Sequence, residues 1–132
     1  PAALAAPASL NGAAILVVDD DALAREAVGR ALSDLGADVR TASNEASASE
    51  ALQTGFAPRL LVMDLRIDGE LAGVAIANRL REKLVHTPHV IVITGDTGPE
   101  TLEMLRASGF PWLIKPVSPS DLSDAAMAQL AA

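Results

Sequence analysis

The sequence predicts a doubly wound α/β domain, a five-stranded parallel sheet with five helices covering both of its faces. Three observations carry that prediction. Short apolar runs of strand length alternate along the chain with segments of helical periodicity. The runs are continuous rather than alternating, as in strands buried on both faces. Gly, Pro and Asp punctuate the junctions between them. In sheets of this kind ligands bind beyond the carboxyl ends of the strands, near the point where strand order reverses, so the residues at those ends are the ones to inspect.

Ala14–Val18 (AILVV) reads as a central strand and ends in Asp19, Asp20 and Asp21. Ala22, Leu23, Ala27, Val28, Ala31, Leu32 and Leu35 then recur at helical spacing, an amphipathic helix stopped by Gly36. A short strand follows at about Asp38–Ala42 and a helix at about Asn44–Gln53, with a stop at Thr54-Gly55. Leu60–Met63 is again of the buried type and ends in Asp64. Next come a helix over about Ala72–Leu84, the strand HVIVI running up to Thr94, and a helix over about Pro99–Ser108 closed by Gly109. The strand PWLI leads into Lys115. Ser118 can cap a final helix opened by Pro119, with Asp121 near the positive end of its dipole. All five strands are expected to be apolar throughout.

A chain of 132 residues is one domain's worth. The expected division is a flexible tail over residues 1–12 and one domain over 13–132. Only Phe56, Phe110 and Trp112 are aromatic, so the core must be built from Ala, Val, Leu and Ile. A net charge of −7 without any basic run argues against nucleic acid as a partner. The absence of Cys excludes disulfides, thiol catalysis and Cys-based zinc sites, and suits a reducing cytoplasm. The opening residues lack the charged and apolar regions of a signal peptide, and no apolar run approaches the roughly 20 residues a membrane helix requires, so no membrane contact by this domain is expected. The chain opens on Pro1 and is expected to be part of something longer.

At the strand ends stand Asp19, Asp20 and Asp21 after the first, Asp64 after the third, Thr94 after the fourth and Lys115 after the fifth. Carboxylates gathered on one sheet edge repel strongly, and need a cation, a shared proton or the Lys115 ammonium to be tolerated at neutral pH. Oxygen ligands without Cys or His suit Mg²⁺ or Mn²⁺. Magnesium is commonly completed by phosphate oxygens, so a neighbouring hydroxyl and ammonium point to a phosphoryl group. Asp64 is then the candidate nucleophile, with Lys115 and the metal neutralising charge and Thr94 donating a hydrogen bond. Each residue alone has an ordinary explanation, Asp21 as a helix cap above all. Their placement at four strand ends of one sheet does not. His86, in a loop, and His89, at a strand start, offer no further catalytic site.

The segments ILVVDDDALARE (Ile15–Glu26), LLVMDL (Leu60–Leu65), VIVITGD (Val90–Asp96) and IKPVSPSDL (Ile114–Leu122) resemble, in order and spacing, the signature blocks of response-regulator receiver domains, which have the CheY-like, flavodoxin-like fold. The resemblance implies that Asp20 binds the metal directly and Asp19 largely through water. It implies that Asp64 is both phosphoacceptor and metal ligand, and that the Arg66 backbone carbonyl supplies a further oxygen. Thr94 would be the switch hydroxyl, Lys115 the phosphate-contacting lysine and Trp112 the switch aromatic, with core filling as the plain alternative for Trp112. Arg66 and Asp96 fall where the family flanks the water that attacks the phosphoryl group, and an ion pair between them is possible across the site. The implied function is that of a phosphorelay receiver, charged by a histidine kinase or phosphotransfer domain and not itself a turnover enzyme. The stretches Asp64–Glu82 and Gly109–Leu122 look most like receivers at the C-terminal end of hybrid sensor kinases, which implies a kinase core in cis and a cytoplasmic location. One departure concerns the loop IDGELAG, where Asp68 stands in place of the Pro that many receivers carry four residues after the phosphoacceptor.

Three rivals have specific requirements. A phosphorylation-independent pseudo-receiver would have no need of the full set Asp19, Asp20, Asp64, Thr94 and Lys115. A metal-dependent phosphohydrolase would want a second acid two residues beyond the nucleophile, where Arg66 stands, and a covering insertion. A flavin-binding domain would place a phosphate against three repelling aspartates.

Overall fold

A computed structural model describes residues 10–132. The elements are β1 (Ala14–Val18), α1 (Ala22–Asp34), β2 (Asp38–Ala42), α2 (Glu45–Gln53), β3 (Leu60–Asp64), α3 (Gly73–Glu82), β4 (His89–Thr94), α4 (Pro99–Ser108), β5 (Trp112–Ile114) and α5 (Pro119–Ala131). Their five strands form one parallel sheet in the order β2-β1-β3-β4-β5, so the order reverses between β1 and β3.

Continuous apolar strands follow from having helices on both faces. Side chains alternate across a strand. Leu16, Val18, Leu61, Met63, Val90 and Val92 therefore join one core layer with Ala48 of α2, Ile76 and Leu80 of α3 and Leu105 of α4. Ile15, Val17, Leu60, Val62, Ile91 and Ile93 join the other with Leu32 of α1 and Leu122 and Ala126 of α5. In β5 the alternation sends Trp112 to the first layer, beside Phe110, and Leu113 to the second.

β2 departs from the expectation that every strand is apolar. It is an edge strand with β1 as its single neighbour, and of its residues (DVRTA) only Ala42 is fully buried. Solvent on the open side accepts Asp38, Arg40 and Thr41. α3 also ends earlier than its periodicity suggested, with Lys83 as C-cap, because the segment beyond turns back toward β4. Leu10, the first described residue, is already packed against the fold. Leu10 is buried, its amide donates to the Leu35 carbonyl at 2.8 Å, and the Gly12 amide donates to the Gly36 carbonyl at 2.8 Å. The remainder of the expected tail, residues 1–9, lies outside the described residues.

The start of α3 is pressed against the end of β3. The Gly73 amide donates to the Leu65 carbonyl at 2.8 Å, and a Cβ on Gly73 would collide with the Asp64 carbonyl oxygen and sit 2.7 Å from Leu65 Cα. Only a residue without a side chain permits this approach. Gly73→Ala should therefore displace the Asp64 backbone and destabilise the fold by about 1–3 kcal/mol, the usual cost of overpacking. Urea unfolding measures it, and an unchanged midpoint would contradict the contact.

Candidate functional site

The sheet delivers its polar residues to one edge by running each ladder to its last residue. The Asp19 amide donates to the Ala42 carbonyl at 3.1 Å, the Leu65 amide to Ile93 at 2.8 Å and the Lys115 amide to Thr94 at 2.8 Å. Asp19, Asp64 and Thr94 are consequently buried, although polar, while Asp20 is exposed. The Lys115–Pro116 peptide bond is cis.

One carboxylate oxygen from each of Asp19, Asp20 and Asp64 falls within a cluster whose members lie within 4.8 Å of one another. Lys115 Nζ is 3.4 Å from Asp19 Oδ2 and 3.3 Å from Asp64 Oδ1. Asp19 Oδ1 accepts the Asp21 amide at 2.9 Å, and Arg25 Nη1 donates to the Asp19 carbonyl at 2.8 Å. Asp21 itself caps α1, its Oδ1 accepting the Leu23 amide at 3.0 Å.

The loop IDGELAG adopts a definite geometry. Ile67 and Glu70 exchange both backbone hydrogen bonds, at 2.9 and 3.0 Å, and the residues between them, Asp68 (φ 53°) and Gly69 (φ 80°), are left-handed. This is the Asp-Gly pattern of a two-residue type I′ turn. It presents the Asp68 amide to Asp20 Oδ2 at 2.8 Å. At the position where many receivers carry Pro, this chain thus uses a backbone donor that Pro does not have.

On the far wall, the Thr94 hydroxyl donates to the Asp96 carbonyl at 2.9 Å and accepts the Asp96 amide at 3.0 Å. It is engaged with the β4–α4 loop. The Asp96 carboxylate accepts the Gly98 amide at 2.9 Å and the Thr101 hydroxyl at 2.7 Å, and faces Arg66 Nη2 at 3.5 Å. Arg66 Nη1 donates to the Gly69 carbonyl at 3.1 Å. Asp20, Asp64, Arg66, Thr94, Asp96 and Lys115 all border one cavity of about 410 Å³. Trp112 packs instead into the α2–α3–α4 core layer. A larger cavity, about 590 Å³, lies at the opposite end of the sheet beside His86 and His89 and contains no carboxylate.

Burial pushes the Asp64 carboxyl up, helped by the negative charge of Asp19 and only partly opposed by Lys115, to about 7. For Lys115, burial works against the ammonium, but Asp64 and Asp19 outweigh it and hold its pKa above the usual lysine value. The Gly98 amide and then the Thr101 hydroxyl hold Asp96 below the usual carboxylate range, with Arg66 adding to the effect. Asp19, Asp20 and Asp64 offer hard oxygen donors and surplus negative charge in one cluster, which fits a small divalent cation. The ammonium and the hydroxyl beside them suit phosphate oxygens. Sequence reasoning missed Arg25, Thr101 and the amides of Asp21 and Asp68. Of these only the Asp68 contact had a signal, the Asp-Gly dipeptide that marks a tight turn.

A five-stranded parallel α/β sheet with an acidic cluster and one lysine at its carboxyl edge places the chain in the CheY-like, flavodoxin-like class. The response regulator receiver domain family matches residues 15–127, and the chain belongs to that family, the receiver component of two-component systems. It is 30% identical over 113 residues to the positive alginate biosynthesis regulatory protein of Pseudomonas aeruginosa, a match covering 84% of this chain and 44% of that protein. It is 36% identical over 110 residues to an uncharacterized 14.6 kDa protein of Leptolyngbya boryana, covering 82% of each. Among solved structures, NtrX from Brucella abortus in complex with ADP superimposes with a TM-score of 0.79 at 32% identity, covering 91% of this chain and 27% of that one. CheY4 of Vibrio cholerae gives 0.73 at 25% identity, covering 89% and 98%. The chain spans less than half the length of the Pseudomonas regulators it matches, 44% and 45%. No helix among the described residues is long and apolar enough to cross a membrane.

The raised Asp64 pKa has a consequence for stability. In the unfolded chain this carboxyl titrates near the ordinary value of about 3.9. Between there and about 7 the folded protein holds the proton that the unfolded chain has lost, so the contribution is present below the lower value and fades as pH rises through the upper one. Metal-free protein should therefore lose stability from about pH 4 to 7, and Asp64→Asn should flatten that part of the profile. Urea midpoints in EDTA across this range are the check. A mutant profile parallel to wild type would contradict the assignment.

Proposed function

We propose that this chain is a phosphoacceptor receiver that takes a phosphoryl group onto Asp64 from the phosphohistidine of a histidine kinase or phosphotransfer protein. The observation that carries the reading is the pairing of a buried Asp64 carboxylate with the Lys115 ammonium at 3.3 Å, inside an oxygen cluster fit for a divalent cation. An Asp64 carboxylate oxygen attacks phosphorus, the P–N bond breaks, the electron pair leaves with the imidazole, and an acyl phosphate remains. Asp19, Asp20 and Asp64, with the Arg66 carbonyl, would hold Mg²⁺ or Mn²⁺, which supplies charge neutralisation for the phosphoryl oxygens when bound. Lys115 has its ammonium between Asp19 and Asp64 and turns from Asp64 to a phosphoryl oxygen.

Thr94 can donate to the phosphoryl group only by releasing the Asp96 carbonyl, a backbone contact separate from those of Gly98 and Thr101 that hold the Asp96 carboxylate. Trp112, packed in the core layer that also contains Leu105 of α4, repacks in response and acts as the switch aromatic. The domain, residues 13–132 with its N-terminal lead-in, works stoichiometrically rather than as a turnover enzyme, in the cytoplasm. A place at the C-terminal end of a hybrid sensor kinase, with a kinase core in cis, is supported by the likeness of Asp64–Glu82 and Gly109–Leu122 to such receivers. Coding sequence upstream of Pro1 tests that placement, and an in-frame kinase core is the expected result.

Incubation with acetyl phosphate and Mg²⁺ should add one phosphoryl group, about 80 Da by intact mass, and change the emission of Trp112, the single tryptophan. Asp64→Asn should show neither. Labelling that persists in Asp64→Asn would refute the phosphoacceptor assignment, and a wild-type protein that never labels would be a phosphorylation-independent interaction module. Labelling without any change in emission would leave Trp112 as core filling.

A further inference from the structure

The buried polar or charged residues among those described are Asp19, Asp64, Thr94 and Thr101. The first three belong to the site. Thr101 lies in the first turn of α4, and no step of the chemistry calls on it. We propose that Thr101 is a positioning residue that lengthens the lifetime of the aspartyl phosphate, by fixing Asp96 and through it Arg66 over the mouth of the site. This inference rests on the phosphoacceptor reading and adds a control on how long the signal lasts.

The geometry forms a chain of fixed contacts. Thr101 is 2% exposed, and its hydroxyl donates to Asp96 Oδ2 at 2.7 Å. Asp96 Oδ1 accepts the Gly98 amide at 2.9 Å, so both carboxylate oxygens are held and the plane of the group cannot turn freely. The same Oδ2 faces Arg66 Nη2 at 3.5 Å, while Arg66 Nη1 donates to the Gly69 carbonyl at 3.1 Å. Arg66 thus spans the opening between the β3–α3 turn and the β4–α4 loop, bordering the same cavity as Asp64.

Arg66 and Asp96 are about half exposed, at 50% and 44%, so their pairing contributes little to stability. Its effect is placement. A long side chain stays in one rotamer only where its acceptors are themselves immobile, and apart from Arg66 itself Thr101 is the side chain that holds the Asp96 carboxylate among the described residues. Loss of the phosphoryl group requires water to attack phosphorus while the P–O bond to Asp64 breaks, giving the Asp64 carboxylate, inorganic phosphate and a proton. A guanidinium fixed in the cavity mouth occupies the approach that this water needs.

The bland alternative is that Thr101 serves only as a helix-start residue, so that its loss lowers the melting temperature and nothing else. The experiment times the decay of protein phosphorylated with acetyl phosphate, after rapid removal of the donor, with the melting temperature measured in parallel. Thr101→Val, nearly isosteric but without the hydroxyl, should shorten the lifetime roughly two- to thirtyfold, the range of couplings carried through neighbouring side chains. Thr101→Ser should restore it. Arg66→Asn should decay at least as fast, and the double variant Thr101→Val/Arg66→Asn should decay no faster than Arg66→Asn alone, because both act through one group. Asp96→Asn keeps an acceptor for Gly98 but loses the charge facing Arg66, and should also decay faster; it stands in if Thr101→Val does not fold. A wild-type lifetime in folded Thr101→Val or in Asp96→Asn, or multiplicative rates in the double variant, would overturn the inference while leaving Asp64 as acceptor. Absence of any label on the wild-type protein would instead overturn the phosphoacceptor reading and this inference with it.

Discussion

Two carboxylates, Asp19 and Asp64, are buried against a single ammonium, that of Lys115, and the arrangement of the whole carboxyl edge answers to that imbalance. Burial alone disfavours both charges, and each disfavours the other. Lys115 sits between them rather than pairing with one. The Asp21 amide satisfies the other Asp19 oxygen, and the Asp68 amide reaches Asp20 from across the site. Even so, Asp64 is left with its pKa pushed up to about 7. The buried pair is left one positive charge short, which is compatible with a divalent cation at the cluster.

The walls of the site are tied largely to backbone, with the Arg66–Asp96 contact running between them. Thr94 is bonded to Asp96 backbone groups, Asp20 to an amide in the I′ turn, and Arg66 to the Gly69 carbonyl. The ties of Thr94 and Asp20 have replacement partners if metal and phosphate arrive, so rearrangement there exchanges contacts instead of losing them, while Arg66 keeps the Gly69 carbonyl. The strands beneath cannot follow such changes, because β1, β3 and β4 are packed on both faces. Rearrangement is therefore confined to contacts beyond the strand ends, such as the one between the Thr94 hydroxyl and the Asp96 backbone.

How much of this could be read from sequence follows from the range of each interaction. AILVV, LLVM and VIVI identify themselves because burial on two faces removes polar residues from the strand interiors, and the positions of Asp19, Asp64 and Thr94 follow from where those runs stop. The edge strand DVRTA was harder, since a strand with one neighbour keeps only part of that signature. Leu10 escaped notice because an isolated apolar residue in an Ala-rich lead-in has no period to betray it. Arg25 and Thr101 act through contacts with groups outside their own helices, and nothing local distinguishes a helical Arg or Thr that reaches a loop from one that faces water. The I′ turn had a local signal in Asp68-Gly69, but its meaning, an amide aimed at Asp20, depended on the placement of β1 beside β3.

The charge imbalance at Asp19, Asp20 and Asp64 is tested most directly by thermal melts of the unphosphorylated protein with Mg²⁺ and with EDTA. A cation that binds only the folded chain should raise its stability by about 2.7 kcal/mol at a hundredfold excess over the dissociation constant. Asp20→Ala removes one ligand of the cluster without touching the buried Asp19–Lys115–Asp64 group, and should abolish most of the Mg²⁺-dependent rise in Tm. A Tm indifferent to millimolar Mg²⁺, or an equal rise in Asp20→Ala, would contradict the account of this edge as a cation site in waiting.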